Sequence, residues 1–267
     1  MTAAAAKPKP VTVPDFRAAK GQRKLAVVTA YDYTAAKLAD EAGVDAILVG
    51  DSLGMVVQGH AHSLSVTLAQ MRYHTACAVR GTSRALVIAD LPFGSYQEGP
   101  RQAIRSAVQL IQAGAAAVKL EGGERMAATI EALVNAEIPV MAHIGLTPQS
   151  VHKFGGFKVQ RDAETLRHDA EAVAAAGAFA VVVECVPSAI GTDVTSAIAI
   201  PTIGIGAGPD CDGQVLVFHD LLGLYDGFRP KFVKRYAELG TAMQAAFAAY
   251  IDDVRAGRFP GPEHEFR

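Results

Sequence analysis

Eight short apolar runs separated by helical stretches are the feature that most limits how this chain can fold. The runs are LAVVTA (25–30), AILVG (46–50), ALVIAD (85–90), AAVKLE (116–121), IPVMAH (138–143), FAVVVE (179–184), IPTIGI (200–205) and QVLVFH (214–219). They lack a clean alternation of apolar and polar residues, which is typical of parallel strands buried on both faces. Eight such strands with interleaved helices, in roughly 250 residues, predict a (β/α)₈ barrel.

The stretches between the runs carry helix signals. GPRQAIRSAVQLIQAG and DAETLRHDAEAVAAAG end at Gly114 and Gly177, and glycine is favoured directly after a helix. VPDFRAAKGQ predicts a short helix before the first strand. An open doubly wound sheet is the alternative fold, but no GxGxxG follows the first run. We predict a disordered tail over 1–11 and one barrel domain over 12–267, including C-terminal helices.

The composition restricts the partners of the chain. Its 25 basic and 27 acidic residues give a net charge of -2, without the basic excess expected for nucleic acid or an anionic membrane. The longest apolar run, 172–183, is broken by Glu184, so we expect neither export nor a membrane span. Cys77, Cys185 and Cys211 have no CxxC spacing, which favours reduced thiols and a cytoplasmic protein.

Charged residues stand where several of the predicted strands end. The carboxyl ends of parallel barrel strands open on one face, so the side chains there should converge. The residues concerned are Asp51, Asp90, Glu121, His143 and Glu184. Because side chains alternate along a strand, Lys119 should point into the same mouth as Glu121. Clustered carboxylates need a cation, and their hard oxygens suit Mg²⁺; a structural salt bridge of Lys119 is the alternative, but it accounts for only two residues.

Three other features carry less weight. His60 and His62 in QGHAH have a spacing that zinc can use, but they lie in a loop well past the second strand. The GIGAG segment, 204–208, suits either a phosphate cradle or a tight turn, and we favour the turn. Ser52 has no histidine partner evident in the sequence, so a substrate hydrogen bond or local capping is favoured over a nucleophile.

Nine motifs, in order over roughly residues 13–262, resemble those of the ketopantoate hydroxymethyltransferase family. They are VGDSLGMVVQGH, YHTACAVRG, ADLPFGSY, VKLEGGE, HIGLTPQS, FGGFKVQ, ECVP, IGIGAG and DGQVLVFHD. The resemblance implies a (β/α)₈ barrel that requires Mg²⁺ and uses 5,10-methylenetetrahydrofolate as one-carbon donor to a 2-oxoacid, 3-methyl-2-oxobutanoate, on the route to pantothenate.

The resemblance also implies roles for individual residues. The metal ligands match Asp51, Asp90 and Glu121. The residues around the 2-oxoacid match Asp51, Ser52, Asp90 and Lys119, and the proton acceptor matches Glu184.

The implied chemistry agrees with the residues at the strand ends. Mg²⁺ chelated by a 2-oxoacid acidifies the C3–H, Glu184 removes the proton, and the enolate attacks the folate methylene carbon. Two rivals are a magnesium-dependent C–C lyase that needs no folate and a barrel that binds without catalysis. Assays with and without folate separate the first, and ligand binding without turnover identifies the second.

The C-terminal segment FVKRYAELGTAMQAAFAAYIDDVRAG predicts a long helix with more apolar surface than the outside of a barrel needs. Phe232, Phe247, Tyr250 and Ile251 supply that surface. We therefore expect a homo-oligomer, although packing on the chain's own barrel is the alternative. The family resemblance implies a homodecamer of two stacked five-membered rings.

Overall fold

The structure, a computed structural model, describes residues 9–266. Most of the predicted disordered tail, residues 1–8, lies outside them. The chain divides into two compact units, the first ending at Val217 and the second beginning at Phe218. Near the start of the first unit, the Val11 N–H donates to the Arg84 carbonyl at 2.7 Å. The single domain over 12–267 stays a prediction.

The first unit is a closed barrel of eight parallel strands in chain order, as predicted. The strands are β1 (Leu25–Thr29), β2 (Ala46–Val49), β3 (Leu86–Asp90), β4 (Ala117–Glu121), β5 (Val140–Gly145), β6 (Ala180–Glu184), β7 (Thr202–Ile205) and β8 (Gly213–Leu216). β8 pairs with β1, which closes the barrel and leaves no open sheet edge.

Helices follow the strands and form the outer layer expected of this fold. They are α1 (Val13–Ala18), α2 (Tyr33–Ala42), α3 (Leu53–Val56), α4 (Leu68–Gly81), α5 (Pro100–Gln112), α6 (Ala127–Asn135), α7 (Val151–Phe154), α8 (Ala163–Ala175) and α9 (Ser188–Ala197). Short 3₁₀ turns lie at Ser63–Ser65, Glu124–Met126 and Pro148–Ser150.

Local sequence explains where several of these helices begin and end. Thr12 and Thr67 form capping boxes that satisfy free N–H groups at the starts of α1 and α4. Gly114 and Gly177 follow α5 and α8 with φ of 105° and 94°, in the left-handed region that favours glycine. Both predicted glycine stops are therefore confirmed.

The barrel interior is filled by alternate residues of the strands. The inward positions include Leu25 and Val27 of β1, Leu86 and Ile88 of β3, and Ala180 and Val182 of β6, as part of one buried cluster. Because the side-chain period of a strand is two, the same column continues to Asp90 in β3 and Glu184 in β6. The core therefore ends in charged residues at the carboxyl end of the barrel.

The described part of the second unit, residues 218–266, contains the helices α10 (Phe218–Leu221) and α11 (Leu239–Arg255) and a 3₁₀ turn at Pro262–His264. Two predicted bounds are wrong here. The eighth run was expected to remain a strand through residue 219, but β8 ends at Leu216 and α10 begins at Phe218. The predicted C-terminal helix begins only at Leu239, so Phe232 lies before it.

No helix within residues 9–266 has both the length and the apolar character needed to cross a membrane. All three cysteines are free thiols in the structure.

Candidate active site

The structure brings together the charged residues that the sequence places at the strand ends. Asp90, Glu121 and Glu184 are the last residues of β3, β4 and β6, and His143 lies near the end of β5. The register of the sheet pairs Asp90 with Lys119 and Glu121 with His143 across neighbouring strands. The predicted convergence is confirmed as geometry.

Lys119 is the positive centre of the site. Its ammonium Nζ lies 3.0 Å from Asp90 Oδ1 and 4.0 Å from Glu121 Oε1, and its side chain is 5% exposed. Asp90 Oδ2 accepts a hydrogen bond from the Asp51 backbone N–H at 3.0 Å, which joins the loop after β2 to the end of β3.

His143 lies between Lys119 and Glu184. Its Nδ1 is 3.2 Å from Lys119 Nζ and 3.6 Å from Glu121 Oε1, and its Nε2 is 3.2 Å from Glu184 Oε2. The lysine ammonium has only donors, so it favours the neutral tautomer with an unprotonated Nδ1 and a proton on Nε2, facing Glu184. Burial, reinforced by the Lys119 charge, holds the pKa of His143 well below its usual range.

Burial raises the proton affinity of three carboxylates in this site. The pKa of Asp51 rises to about 7, chiefly because of burial and then because of the neighbouring Asp90 charge. Burial also raises the pKa of Glu121 well above its ordinary value. The pKa of Glu184 rises to about 8 through burial, although the Lys119 charge opposes this.

The pKa of Lys119 is raised as well, although burial acts on a lysine in the opposite direction. Burial disfavours its charge, but the charges of Asp90, Glu121 and Asp51 outweigh burial and raise its pKa. Lys119 therefore stays protonated, beside several carboxylates that bind protons more readily than usual.

The chain turns sharply beside Glu184. Gly145, at the end of β5, has a φ of 88°, and a Cβ there would collide with the Glu184 carbonyl oxygen. Cys185 follows Glu184 with a φ of 49°, an uncommon conformation for a residue other than glycine. Its backbone is held by hydrogen bonds to the Ile205 carbonyl and from the Gln160 N–H.

Ser52, His62 and the GIGAG segment make contacts within the protein that do not require a ligand. Ser52 Oγ lies 2.9 Å from the Tyr31 hydroxyl, within hydrogen-bond distance. The His62 ring packs edge-to-face on that of His152. In GIGAG, Gly208 has a φ of 89° and approaches Ser188 so closely that a Cβ would lie 2.5 Å from the serine Cβ, which favours the tight turn.

Two buried polar residues in the site were missed as individual residues, although both lie within the quoted motifs. Gln149, in the turn after β5, donates from its backbone N–H to Glu121 Oε2 and from its side-chain Nε2 to Asp51 Oδ2, both at 2.9 Å. Tyr96, in the loop after β3, places its hydroxyl 2.7 Å from Gln149 Oε1. The sequence signal was their position in loops directly after strands at the carboxyl face.

The donor set fits a hard divalent cation. Asp90 Oδ1 is buried, contacts the Lys119 ammonium and has no well-aligned hydrogen-bond donor, so it keeps coordinating capacity. Within residues 9–266, no three His, Cys, Asp or Glu side chains form a ready-made metal cage. Mg²⁺ tolerates this, since it usually binds through one or two carboxylates and completes its shell with water and substrate oxygens.

Comparison with known proteins gives a family match over nearly the whole chain. The family model for ketopantoate hydroxymethyltransferase matches residues 10–262. The 3-methyl-2-oxobutanoate hydroxymethyltransferase of Syntrophobacter fumaroxidans is 56% identical, over 96% of this chain and 93% of the relative. The enzyme of the same name from Moorella thermoacetica is 54% identical, over 96% of this chain and 98% of the relative.

Solved structures share the fold at much lower identity. A 2,3-dimethylmalate lyase, described as a PEP mutase/isocitrate lyase superfamily member, aligns with a TM-score of 0.61 and 21% identity. The alignment covers 96% of this chain and 91% of the lyase. At that identity the likeness supports the barrel fold alone.

Proposed function

The chain belongs to the ketopantoate hydroxymethyltransferase family, and from this membership and the site we propose the reaction in detail. The enzyme transfers a hydroxymethyl group from 5,10-methylenetetrahydrofolate to 3-methyl-2-oxobutanoate. The products are 2-dehydropantoate, a precursor of pantothenate, and tetrahydrofolate. The observation that carries the proposal is a partly buried carboxylate, Glu184, which the His143 ring separates from the lysine–carboxylate cluster of Lys119, Asp90 and Glu121.

The lysine–carboxylate cluster is the proposed substrate and metal site. Asp51, Asp90 and Glu121 would hold Mg²⁺ directly or through water, and Ser52 and Lys119 would contact the 2-oxoacid. Bound Mg²⁺ would withdraw electron density from the keto group and so acidify the adjacent C3–H. The Lys119 ammonium would offset negative charge on the substrate, and its burial makes this interaction stronger than it would be in water.

Glu184 is the proposed base. Its side chain is 14% exposed, so substrate can reach it, and burial raises its pKa to about 8. A carboxylate with a pKa near the working pH is a better proton acceptor than an ordinary glutamate. His143, neutral and with its Nε2 3.2 Å from Glu184 Oε2, lies against the carboxyl group without an aligned hydrogen bond and so limits the space into which it can turn.

The atoms of the proposed reaction balance with water as a third reactant. The C3–H bond breaks and its proton goes to Glu184. A carbon–carbon bond forms between C3 and the methylene carbon of the folate, and both bonds from that carbon to the folate nitrogens break. Water supplies the hydroxyl group, and its remaining proton and the proton taken from C3 end on the two nitrogens of tetrahydrofolate.

The test is hydrogen exchange at C3 of 3-methyl-2-oxobutanoate in deuterated water without folate. The wild-type enzyme should exchange this hydrogen when Mg²⁺ is present. Glu184→Gln should abolish exchange while still binding substrate and metal in calorimetry, because an amide cannot accept the proton. Asp51→Ala and Asp90→Ala should also lose exchange, but through weakened binding. Wild-type exchange in a folded Glu184→Gln protein would mean that another group is the base.

The folate requirement distinguishes the proposal from a lyase. Product formation should depend on 5,10-methylenetetrahydrofolate. Cleavage of a 2-oxoacid or hydroxyacid without folate would instead identify a folate-independent C–C lyase.

We also propose a cytoplasmic homo-oligomer, with a homodecamer as the expected size. The support lies in α11, where Met243, Phe247, Tyr250 and Ile251 are each at least 42% exposed. Apolar side chains in such number on one helix favour burial against another copy. Sedimentation at micromolar concentration should show an assembly, and a monomer would contradict the proposal.

A further inference from the structure

Gln149 connects two of the proposed metal ligands that are far apart in sequence. Its backbone N–H donates to Glu121 Oε2, and its side-chain Nε2 donates to Asp51 Oδ2 and to the Leu91 carbonyl at 3.0 Å. Gln149 is buried, with 6% of its surface exposed. One residue in the turn after β5 therefore restrains carboxylates that belong to the ends of β2 and β4.

Tyr96 determines which way the Gln149 amide faces. The Tyr96 hydroxyl accepts from the Glu121 N–H at 3.1 Å. Its single proton has two acceptors within reach, the Glu121 carbonyl at 3.3 Å and Gln149 Oε1 at 2.7 Å, and the shorter distance favours Gln149. Since Oε1 is then the acceptor, the NH₂ group must face Asp51. Gln97 Nε2 also donates to this oxygen, at 3.3 Å, which agrees with the assignment.

The Gln149 hydrogen bonds determine which oxygen of Asp51 and of Glu121 can bind a cation. Asp51 Oδ2 and Glu121 Oε2 are each held by a Gln149 donor, so the other oxygen of each carboxylate faces away from Gln149. Glu121 Oε1 lies 3.6 Å from His143 Nδ1 and 4.0 Å from Lys119 Nζ, without a hydrogen bond that would prevent it from binding a cation or water bound to a cation. Donors to the outer oxygens fix the direction of a coordinating carboxylate, and loss of such a donor typically costs about 10–100-fold in metal affinity.

We propose that Gln149 and Tyr96 are a positioning pair that orients Asp51 and Glu121 and thereby sets the affinity for the divalent cation. This inference rests on the proposed function, because it takes the two carboxylates as metal ligands. The competing interpretation is a buried polar network that only stabilises the loops after β3 and β5. Metal affinity separates the two, since a purely structural role changes stability and leaves the affinity of the folded protein unaltered.

The test is calorimetric titration of Mn²⁺, as a probe for the magnesium site, into metal-free protein without substrate. Tyr96→Phe removes only the hydroxyl, and Gln149→Leu removes both amide groups at similar size. Each should weaken Mn²⁺ binding by about 10-fold or more. Because Tyr96 acts partly through Gln149, the double variant should lose less than the product of the two single losses. Excess Mg²⁺ should restore C3–H exchange in both single variants.

Matched controls are Gln102→Leu, whose amide bonds only to backbone groups of Gly94 and Glu98, and Tyr73→Phe, at an exposed tyrosine. Both should bind Mn²⁺ like the wild type. Thermal unfolding without metal identifies variants that are unfolded. If Gln149→Leu does not fold, the Mn²⁺ affinity of Tyr96→Phe, which is the milder change, tests the proposal. Folded variants with wild-type Mn²⁺ affinity would overturn the positioning role alone. Failure of the wild type to bind Mn²⁺ would overturn the proposed metal site as well.

Discussion

Both ends of the barrel contain carboxylates removed from solvent, but those at the amino end are surrounded by hydrogen-bond donors and those at the carboxyl end have few. At the amino end, Asp212 lies directly before β8 and accepts hydrogen bonds from Lys20 Nζ and from the Thr202 N–H and hydroxyl. Asp40, at the end of α2, accepts from the N–H groups of 83–85, just before β3. At the carboxyl end, Asp51 lies beside the negative charge of Asp90. Glu184 has no hydrogen-bond donor within residues 9–266 that offsets its burial.

The direction of the pKa shift records this difference. Burial opposes ionisation of Asp40 and Asp212, yet their donors outweigh it and lower the pKa of each. At the carboxyl end burial prevails, and the pKa values of Asp51 and Glu184 rise to about 7 and about 8. A carboxylate with a complete set of donors stabilises the fold, whereas one without them retains capacity for a cation or a proton.

The largest effect expected from this comparison is on catalysis. Asp51→Asn removes a charge from the carboxyl end without changing size, so C3–H exchange should fall on the order of 10³-fold. The free energy of unfolding should change by less than about 1 kcal/mol, because the charge removed is a desolvated one. Urea unfolding beside the exchange assay measures both. A large loss of stability would make Asp51 a structural carboxylate like those at the other end.

The matched change at the amino end should do the reverse. Asp212→Ala leaves Lys20 and the Thr202 N–H without their carboxylate, and unfolding should become easier by about 3 kcal/mol. The folded fraction should keep wild-type exchange per molecule. Asp210→Ala, at an exposed residue two positions earlier, is the control and should change stability little. Loss of exchange in folded Asp212→Ala protein would contradict the division of roles between the two ends.

Asp40 should give a smaller effect of the same kind. Asp40→Ala removes the acceptor for three successive N–H groups before β3, which should cost about 2 kcal/mol. The exposed neighbour Glu41, whose partner Lys37 lies 3.8 Å away, is the control, and Glu41→Ala should cost less than about 0.5 kcal/mol. Equal effects in the two variants would mean that the N–H groups find water instead.

The carboxyl end was easier to read from the sequence than the amino end. Strands buried on both faces appear as apolar runs, so the barrel and the charged residues that end its strands could be predicted. The loop position of Gln149 was a signal that it faces the site, but its contact with Asp51 could not be predicted, because the two residues are 98 positions apart and only the closed barrel brings them together. The end of β8 was misjudged since the apolar run continues without a break into Phe218, where α10 starts.

The smallest predicted effect is a difference in how the two ends respond to pH. Asp40 and Asp212 have lowered pKa values, so their contribution to stability is present above the unfolded value of about 3.9 and is lost as the pH falls further. Glu184 has a raised pKa, so its contribution is present below the unfolded value of about 4.3 and is lost as the pH rises towards about 8.

Between pH 6 and 8 the folded protein therefore binds protons at Glu184, and also at Asp51 and Glu121, that the unfolded chain does not. Glu184 alone should lower the free energy of unfolding by at most about 1.4 kcal/mol per pH unit. Glu184→Gln mimics the neutral carboxyl group at every pH, so it should remove the Glu184 share of this decline and leave the share of Asp51 and Glu121. It should not alter the acid limb that Asp40 and Asp212 control. Urea unfolding of metal-free protein at several pH values measures both limbs. An unchanged slope in Glu184→Gln would place the titrating group elsewhere in the site and would remove the raised proton affinity on which the choice of Glu184 as base depends.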